Sequence, residues 1–288
     1  MTQTASSNIA QIEYWNTKAG ETWAKFQEAL DRQIQTLGLA AMDTLRPEKG
    51  EHIIDIGCGC GQTSLDLGSR VGAAGSVVGV DISKPMLEVA LRRLRLAPNL
   101  RVTFRLLGAE SDDLGDGRFD AAFSRFGVMF FSDPVVAFAN IRRSLKPNGR
   151  LVFVCWRLLN QNPWMREPLE AASPLLPPIA PYDPMAPGPF AFADAGRVQS
   201  ILAAAEFGSV KVSPFNAAIG GANVEQTLQL ALNVGPLGAA LRENPERAEM
   251  VANAVRDLLS KYATPNGVLM PAAVWIISAH NENRVRSI

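Results

Sequence analysis

The fold turns on the stretch EHIIDIGCGCGQTS, residues 51–64. A short apolar run meets three glycines at alternate positions, Gly57, Gly59 and Gly61, with Cys58 and Cys60 between them. An apolar run that stops at Gly57 reads as a buried strand, and GQTSLDLGSRV after it reads as a helix. Glycine lets the backbone turn tightly and come close to a ligand. The helix that follows offers unpaired N–H groups.

The same rhythm continues outward. SVVGVDI is a second strand, closing on Asp81. SKPMLEVALRRLRL is a helix: Ser83 suits the N-cap and Pro85 the first turn, and Met86, Val89, Ala90 and Leu94 share one face. RVTFRLL and FDAAFS are the third and fourth strands, DPVVAFANIRRSLK a helix, and RLVFVCW a fifth strand after the turn KPNG. Strands alternating with helices imply right-handed crossovers and a parallel, doubly wound α/β sheet with helices on both faces. Ligands of such sheets bind outside the carboxyl ends of the strands, near the switch in strand order. The loop 57–61 lies there.

Beyond Trp156 the rhythm breaks. The Pro-rich segment EPLEAASPLLPPIAPYDPMAPGPF, residues 167–190, reads as an ordered but irregular loop or linker. ADAGRVQSILAAAEFG is a helix closed by Gly208, SVKVSPF a strand, residues 222–262 are helical, and AAVWIISAH is the last strand. Before the glycine loop, IEYWNTKAGETWAKFQEALDRQIQTLGLAAMDTL is amphipathic and mostly helical. The chain divides into a helical lid (1–44), a core (45–160), a Pro-rich substrate-side excursion (161–193) and the rest of the core (194–288) with a helical insertion at 222–262.

The 288 residues suffice for one large domain with insertions. Lys+Arg and Asp+Glu both number 28, and no basic tract stands out, which argues against a nucleic-acid partner held by phosphate contacts. The N-terminus lacks a basic start with an apolar core, and no apolar run reaches membrane-spanning length. With three cysteines, a cytoplasmic location is expected.

Spacing separates the candidate ligands. A dinucleotide fingerprint needs glycines at its first, third and sixth positions. Those positions hold Gly57, Gly59 and Gln62, so it fails. No Lys-Ser or Lys-Thr follows, so the loop is no P-loop. The motifs IIDIGCGCG (53–61), VVGVDIS (77–83), GAE (108–110), FDAAFSRFGVMFF (119–131) and LKPNGRLVFVCW (145–156) resemble the series of class I S-adenosylmethionine-dependent methyltransferases. The branch is the small-molecule one related to ubiquinone- and menaquinone-biosynthesis enzymes. The resemblance covers residues 45–160 well and the rest loosely.

It implies a Rossmann-like, doubly wound, seven-stranded sheet, mostly parallel with the last strand antiparallel, carrying helical lid insertions. It implies S-adenosylmethionine as cofactor and a small-molecule acceptor. Asp81, 20 residues beyond Gly61, would accept from the ribose hydroxyls. Asp55, Gly57, Cys58, Gly59 and Gly61 would form the loop beside the methionine chain. Ile82 and Met86 would pack on adenine, with Ala109 and Glu110 at its edge. Ser124 and Phe126 would meet the methionine portion through backbone groups, and Arg125 its carboxylate or an acidic acceptor. Tyr14 and Trp15 would cover the cofactor, or else form, with Trp23, the core face of a helix. One position departs from the pattern. Where the family commonly has Asp before Ala109, this chain has Gly108, so Glu110 or a backbone carbonyl would take the adenine amino group.

Other patterns read as structural. Cys58 and Cys60, with only Cys155 and His52 to add, lack four convergent metal ligands. His52 and His280 fall at the end of the sheet away from the loop, so no histidine base is expected. Tyr14 and Lys18 match a Tyr-x-x-x-Lys pattern but precede the cofactor loop. NPWM, residues 162–165, is similar to the Asn-Pro-Pro-aromatic motif of nucleic-acid amino methyltransferases but follows the fifth strand, where that motif does not belong. The acceptor walls are expected from Trp164, Met165, Phe190 and Phe192, with Phe130 beneath. Tyr14, Tyr182 and Glu110 are the candidates should a base be needed, and no catalytic residue is assigned. The rival readings are a non-catalytic S-adenosylmethionine-binding sensor or scaffold and an NAD(P)-dependent oxidoreductase.

Overall fold

Three helices precede the sheet: α1 (Gln3–Asn16), α2 (Lys18–Lys25) and α3 (Gln27–Leu45). The computed structural model describes residues 3–178 and 183–282. α3 buries Leu30, Ile34, Leu37, Ala41 and Leu45, a stripe at helical spacing, and ends where Arg46 turns left-handed at φ 53°. Then come β1 (His52–Ile56), α4 (Gln62–Val71), β2 (Ser76–Asp81), α5 (Lys84–Arg95), β3 (Val102–Leu106) and β4 (Phe119–Arg125). α6 (Pro134–Ser144) and β5 (Leu145–Trp156) complete the alternating half.

After Trp156 the chain makes α7 (Pro163–Ala172), α8 (Ala195–Ala204) and β6 (Gly208–Ile219). It continues with α9 (Val224–Asn233), α10 (Gly235–Glu243), α11 (Ala248–Ser260), the short pair β7 (Ala263–Thr264) and β8 (Gly267–Val268), and β9 (Met270–His280).

The sheet order is β3-β2-β1-β4-β5-β9-β6. β1 to β5 pair in parallel, and β9 runs antiparallel between β5 and β6. β1 has β2 on one side and β4 on the other, so the connections after β1 and β4 diverge and leave a crevice at their carboxyl ends. Ile53, Ile54, Ala121, Ala122 and Phe123 are all buried, because helices cover both faces of the central strands. β6 is an edge strand, which is why it tolerates Pro214 without a ladder donor.

The Pro-rich stretch departs from its expected irregular form. Its first part lies in α7, with Pro163 at the first turn and Pro168 inside the helix. Burial of Met165, Pro168 and Ala172 supplies what the missing N–H takes away. Ala172, Leu228, Leu237, Val251, Val255, Leu259 and Met270 share a second apolar core, so α7 and α9–α11 form a helical layer of their own. Within 222–262, proline in the first turn of α10 and Pro245 after Asn244 divide the helical run into three. Trp164 packs on both cores.

Candidate active site

The loop after β1 is built from main chain. Gly57 and Cys58 N–H both donate to the Val80 carbonyl at the end of β2, at 2.9 and 3.1 Å. Gly57 has φ +64°, and a Cβ there would lie 2.8 Å from the Gly127 Cα. The backbones after β1 and β4 therefore meet directly, and only glycine fits on either side. Gly59 N–H donates to Asp81 Oδ2 and Ser83 N–H to Asp81 Oδ1, both at 2.8 Å. Burial pushes the Asp81 carboxyl above its ordinary range, against the opposing pull of those N–H groups. Each oxygen keeps a lone pair for a further donor.

Beneath the loop lies Asp55, fully buried. Its Oδ2 accepts from the hydroxyls of Thr63 and Ser64, each at 2.6 Å. Its Oδ1 has no partner among the described residues, and neither has the buried hydroxyl of Ser124 at the end of β4. Desolvation raises the Asp55 carboxyl to about 6. A buried polar atom left unpaired costs about 1–3 kcal/mol. Two of them at adjacent strand ends mark a place prepared for a polar ligand.

The N-terminal helices pack on this loop. Asn16 Nδ2 donates to the Ile82 carbonyl at 2.7 Å, and Asn16 Oδ1 accepts from Lys84 N–H at 2.9 Å. Trp15 packs edge-on to Phe130, Trp23 and Tyr14 and borders a cluster of Cys60, Met86 and Val89. From α3, Asp31 accepts from Arg125 Nη2 at 2.7 Å and Arg93 Nη1 at 3.0 Å. Arg93 also donates to the Cys60 carbonyl, at 2.9 Å, and so ties α5 to the glycine loop.

A family model described as a methyltransferase domain matches residues 54–153. Among curated proteins, the chain is 31% identical over 175 residues to the O-methyltransferase cnsE of Penicillium expansum, covering 60% of each. It is 30% identical over 115 residues to the ubiquinone/menaquinone biosynthesis C-methyltransferase UbiE of Geotalea uraniireducens, covering 40% of this chain and 49% of that protein. The chain thus spans about a third to three fifths of the curated relatives it matches. Among solved structures, the Haemonchus contortus phosphoethanolamine N-methyltransferase 2 in complex with S-adenosyl-L-methionine superposes with a TM-score of 0.60. That match has 17% identity and covers 95% of this chain and 60% of that one, a likeness of fold. Residues 54–153 carry a methyltransferase domain, on a fold shared with an S-adenosylmethionine-binding methyltransferase.

The residues of this methyltransferase domain fit the cofactor of the class. The Gly57–Gly127 approach leaves bare main chain where an amino-acid tail can lie. The unspent Asp55 Oδ1 and Ser124 Oγ offer acceptors for an ammonium. Asp81 stands at the second strand tip with lone pairs open for a diol.

Several expected contacts fall elsewhere. Arg125 turns to Asp31, and its Cδ lies against Gly38 of α3, so it is already neutralised by protein. Glu110 accepts from the Ser132 and Asp133 N–H groups at 2.6 and 3.2 Å, which draws it away from an adenine edge. The carboxylate beside Gly108 is Asp112, whose Oδ2 accepts the Gly108 N–H at 2.7 Å. Ser83 occupies the N-cap of α5, but its hydroxyl donates to the Trp15 carbonyl instead of capping. Met86 and Ile82 flank the loop, Met86 against Gly59 and Ile82 against Gly108. Ala109 is buried behind them. Phe126 takes φ +64° and stacks on Trp156 at 4.2 Å, a strained backbone at the crevice.

The residues expected to wall the acceptor divide. Trp164 and Met165 line a cavity of about 30 Å³ between the helical layer and β9. Phe130 instead meets Trp15 at 4.9 Å. Phe190 and Phe192 are corrections. Both are core residues, Phe192 only 2% exposed, its ring facing Phe138 and Phe153. Tyr182 lies outside the described residues. His52 pairs with Ser76, and His280 is opposite Arg150, both away from the crevice. A larger groove, about 440 Å³ between α2–α3 and α5, holds none of the glycine-loop residues and stands apart from this chemistry. Burial pushes the thiols upward, Cys60 to about 12, so they are poor nucleophiles.

Asp31, Asn16, Gly127 and the Thr63–Ser64 pair escaped the sequence reading. Only the last left a signal: a buried acid before a glycine loop calls for hydroxyls in the helix that follows.

Proposed function

We propose that this chain transfers a methyl group from S-adenosylmethionine to a small, partly apolar metabolite. The observation that carries this reading is the pair of unspent acceptors, Asp55 Oδ1 and Ser124 Oγ, buried where two glycine backbones meet and next to Asp81. Bound S-adenosylmethionine supplies a methyl already made electrophilic by its sulfonium. The chain's own task is alignment and exclusion of water, and alignment can contribute about 7–11 kcal/mol.

In this reading Asp81 grips the ribose diol. Gly57, Cys58 and Gly59 present main chain to the methionine tail, and Asp55 and Ser124 hold its ammonium. Ile82, Met86 and Ala109 flank the adenine, with Asp112 in place of the acid that Gly108 lacks. Trp15 covers the loop. Tyr14, 44% exposed, and Glu110, bound to two N–H groups, are ill suited to act as bases. Among the described residues none of these candidates is set in place as a base, which suits an acceptor whose nucleophile needs little help in losing its proton.

Calorimetry with S-adenosylmethionine, S-adenosylhomocysteine and NAD tests the donor. Heat is expected with both sulfur compounds and none with NAD; silence from the sulfur compounds would overturn the reading. Incubating metabolite extracts with methyl-labelled donor, followed by mass spectrometry, tests transfer. Binding without label on any metabolite would favour a sensor.

A further inference from the structure

We infer that Gln33 reads the acceptor, and that the acceptor is a neutral, largely apolar molecule carrying a hydroxyl or carbonyl group. This rests on the methyl-transfer reading and deepens it. Gln33 projects from α3 and is 6% exposed, yet its amide makes no hydrogen bond among the described residues. It lines the cavity with Trp164, Met165, Ile219, Leu230 and Met270. Among the described residues no charged side chain lines that space.

The other polar groups there are already used. The Thr227 hydroxyl donates to the Asn223 carbonyl at 2.9 Å and accepts from Gly221 N–H at 3.0 Å. The Trp164 indole N–H donates to Asn162 Oδ1 at 3.2 Å. Gln33 is thus the lining side chain whose donor and acceptor both remain unspent. A sheltered amide without a partner among the described residues is open to a ligand group, and it serves a hydroxyl or a carbonyl equally well. It compensates a full charge poorly, and a hydrocarbon leaves it unpaired.

One packed path ties this cavity to the crevice: the Trp164 ring lies 4.9 Å from Trp156, which stacks at 4.2 Å on Phe126 just past the tip of β4. The space of about 30 Å³ suits only a small group. Ligand sites commonly reach about 300–1,000 Å³. A larger acceptor must part α7 from α9 and α10.

The test titrates 1-naphthol, 1-methylnaphthalene and 1-naphthoate into the protein, with and without saturating S-adenosylhomocysteine, by calorimetry and ligand-observed NMR. The naphthol should bind at least about tenfold more tightly than either analogue. Gln33→Met, nearly the same shape, should erase that preference and leave the affinity for S-adenosylhomocysteine and the Tm no lower. An unchanged order of affinities in the variant overturns the inference, and so does failure of the naphthol to bind wild type. If the variant does not fold, the ranking of the three probes on wild type still decides. Failure of S-adenosylhomocysteine alone to bind strikes the donor reading and leaves the naphthol arms to judge Gln33.

Discussion

Ser83 donates its hydroxyl to the carbonyl of Trp15, 2.7 Å away, although it sits where the N-cap of α5 belongs. Its N–H meanwhile donates to Asp81. The capping task passes to Asn16, which accepts from Lys84 N–H and donates to the Ile82 carbonyl. The end of α1 and the turn after β2 are one hydrogen-bonded unit. Whatever moves Trp15 moves the carboxylate that the donor's sugar would use.

Asn16→Ala should therefore act on both. Loss of a helix cap costs about 1 kcal/mol. The freed lid should show faster amide exchange over residues 8–16, and affinity for S-adenosylhomocysteine should fall by about 2–10-fold, the worth of one hydrogen bond. Unchanged exchange in α1 would mean that other contacts hold the lid.

Asp31 neutralises Arg93 and Arg125 with side chains only 13–21% exposed. Asp31→Asn leaves two sheltered cations without the carboxylate they share. The loss should be about 2–4 kcal/mol by urea unfolding. Adding Arg125→Met should recover a large part of it, because the stranded charge goes too. Simple additivity of the two changes would show that the pair is not coupled.

The alternating half of the fold was legible because its signals are local: apolar runs, turn glycines and caps within a few residues. The rest depends on partners far along the chain. Arg125 points at Asp31, 94 residues away, and Asn16 caps a helix 68 residues on. Gln33 reads as the polar face of an amphipathic helix until α7 and α9 cover it. Proline content suggested a loop from residue 167 onward, where burial against distant helices carries α7 on to Ala172. Phe190 and Phe192 show the same limit: an aromatic near a substrate-side segment has the composition of a wall, and only packing reveals it as core.

Asp81 holds the Gly59 and Ser83 N–H groups as well as any sugar, so a plain affinity loss in Asp81→Ala would be ambiguous. A cycle with 2′-deoxy-S-adenosylhomocysteine separates the roles. Wild type should bind the deoxy compound about 10-fold more weakly than the parent, since a hydrogen bond to a charged group contributes about 1.5–3 kcal/mol. Asp81→Ala should lose about 10-fold or more for the parent and no longer tell the two apart. A variant that still discriminates would move the ribose contact to another residue.

Asp55 gives the pH dependence its sign. Its carboxyl ionises at about 6 in the folded chain against 3.8 ordinarily, because burial disfavours the charge. Between those values the folded state holds the extra proton, so stability is greatest below about pH 4 and falls as pH rises to about 6. Above that, ionised Asp55 costs about 2–3 kcal/mol. Asp55→Asn should flatten this stretch of the curve and unfold at higher urea than wild type at pH 7.5. Donor binding should run the other way. An ammonium against Oδ1 favours the ionised form, so wild-type affinity for S-adenosylhomocysteine should fall by up to about tenfold per unit below pH 6. The Asn variant should bind more weakly at pH 7.5 and lose that slope. Parallel pH profiles in the two proteins would remove Asp55 from the ammonium site and leave its charge a cost of the fold alone.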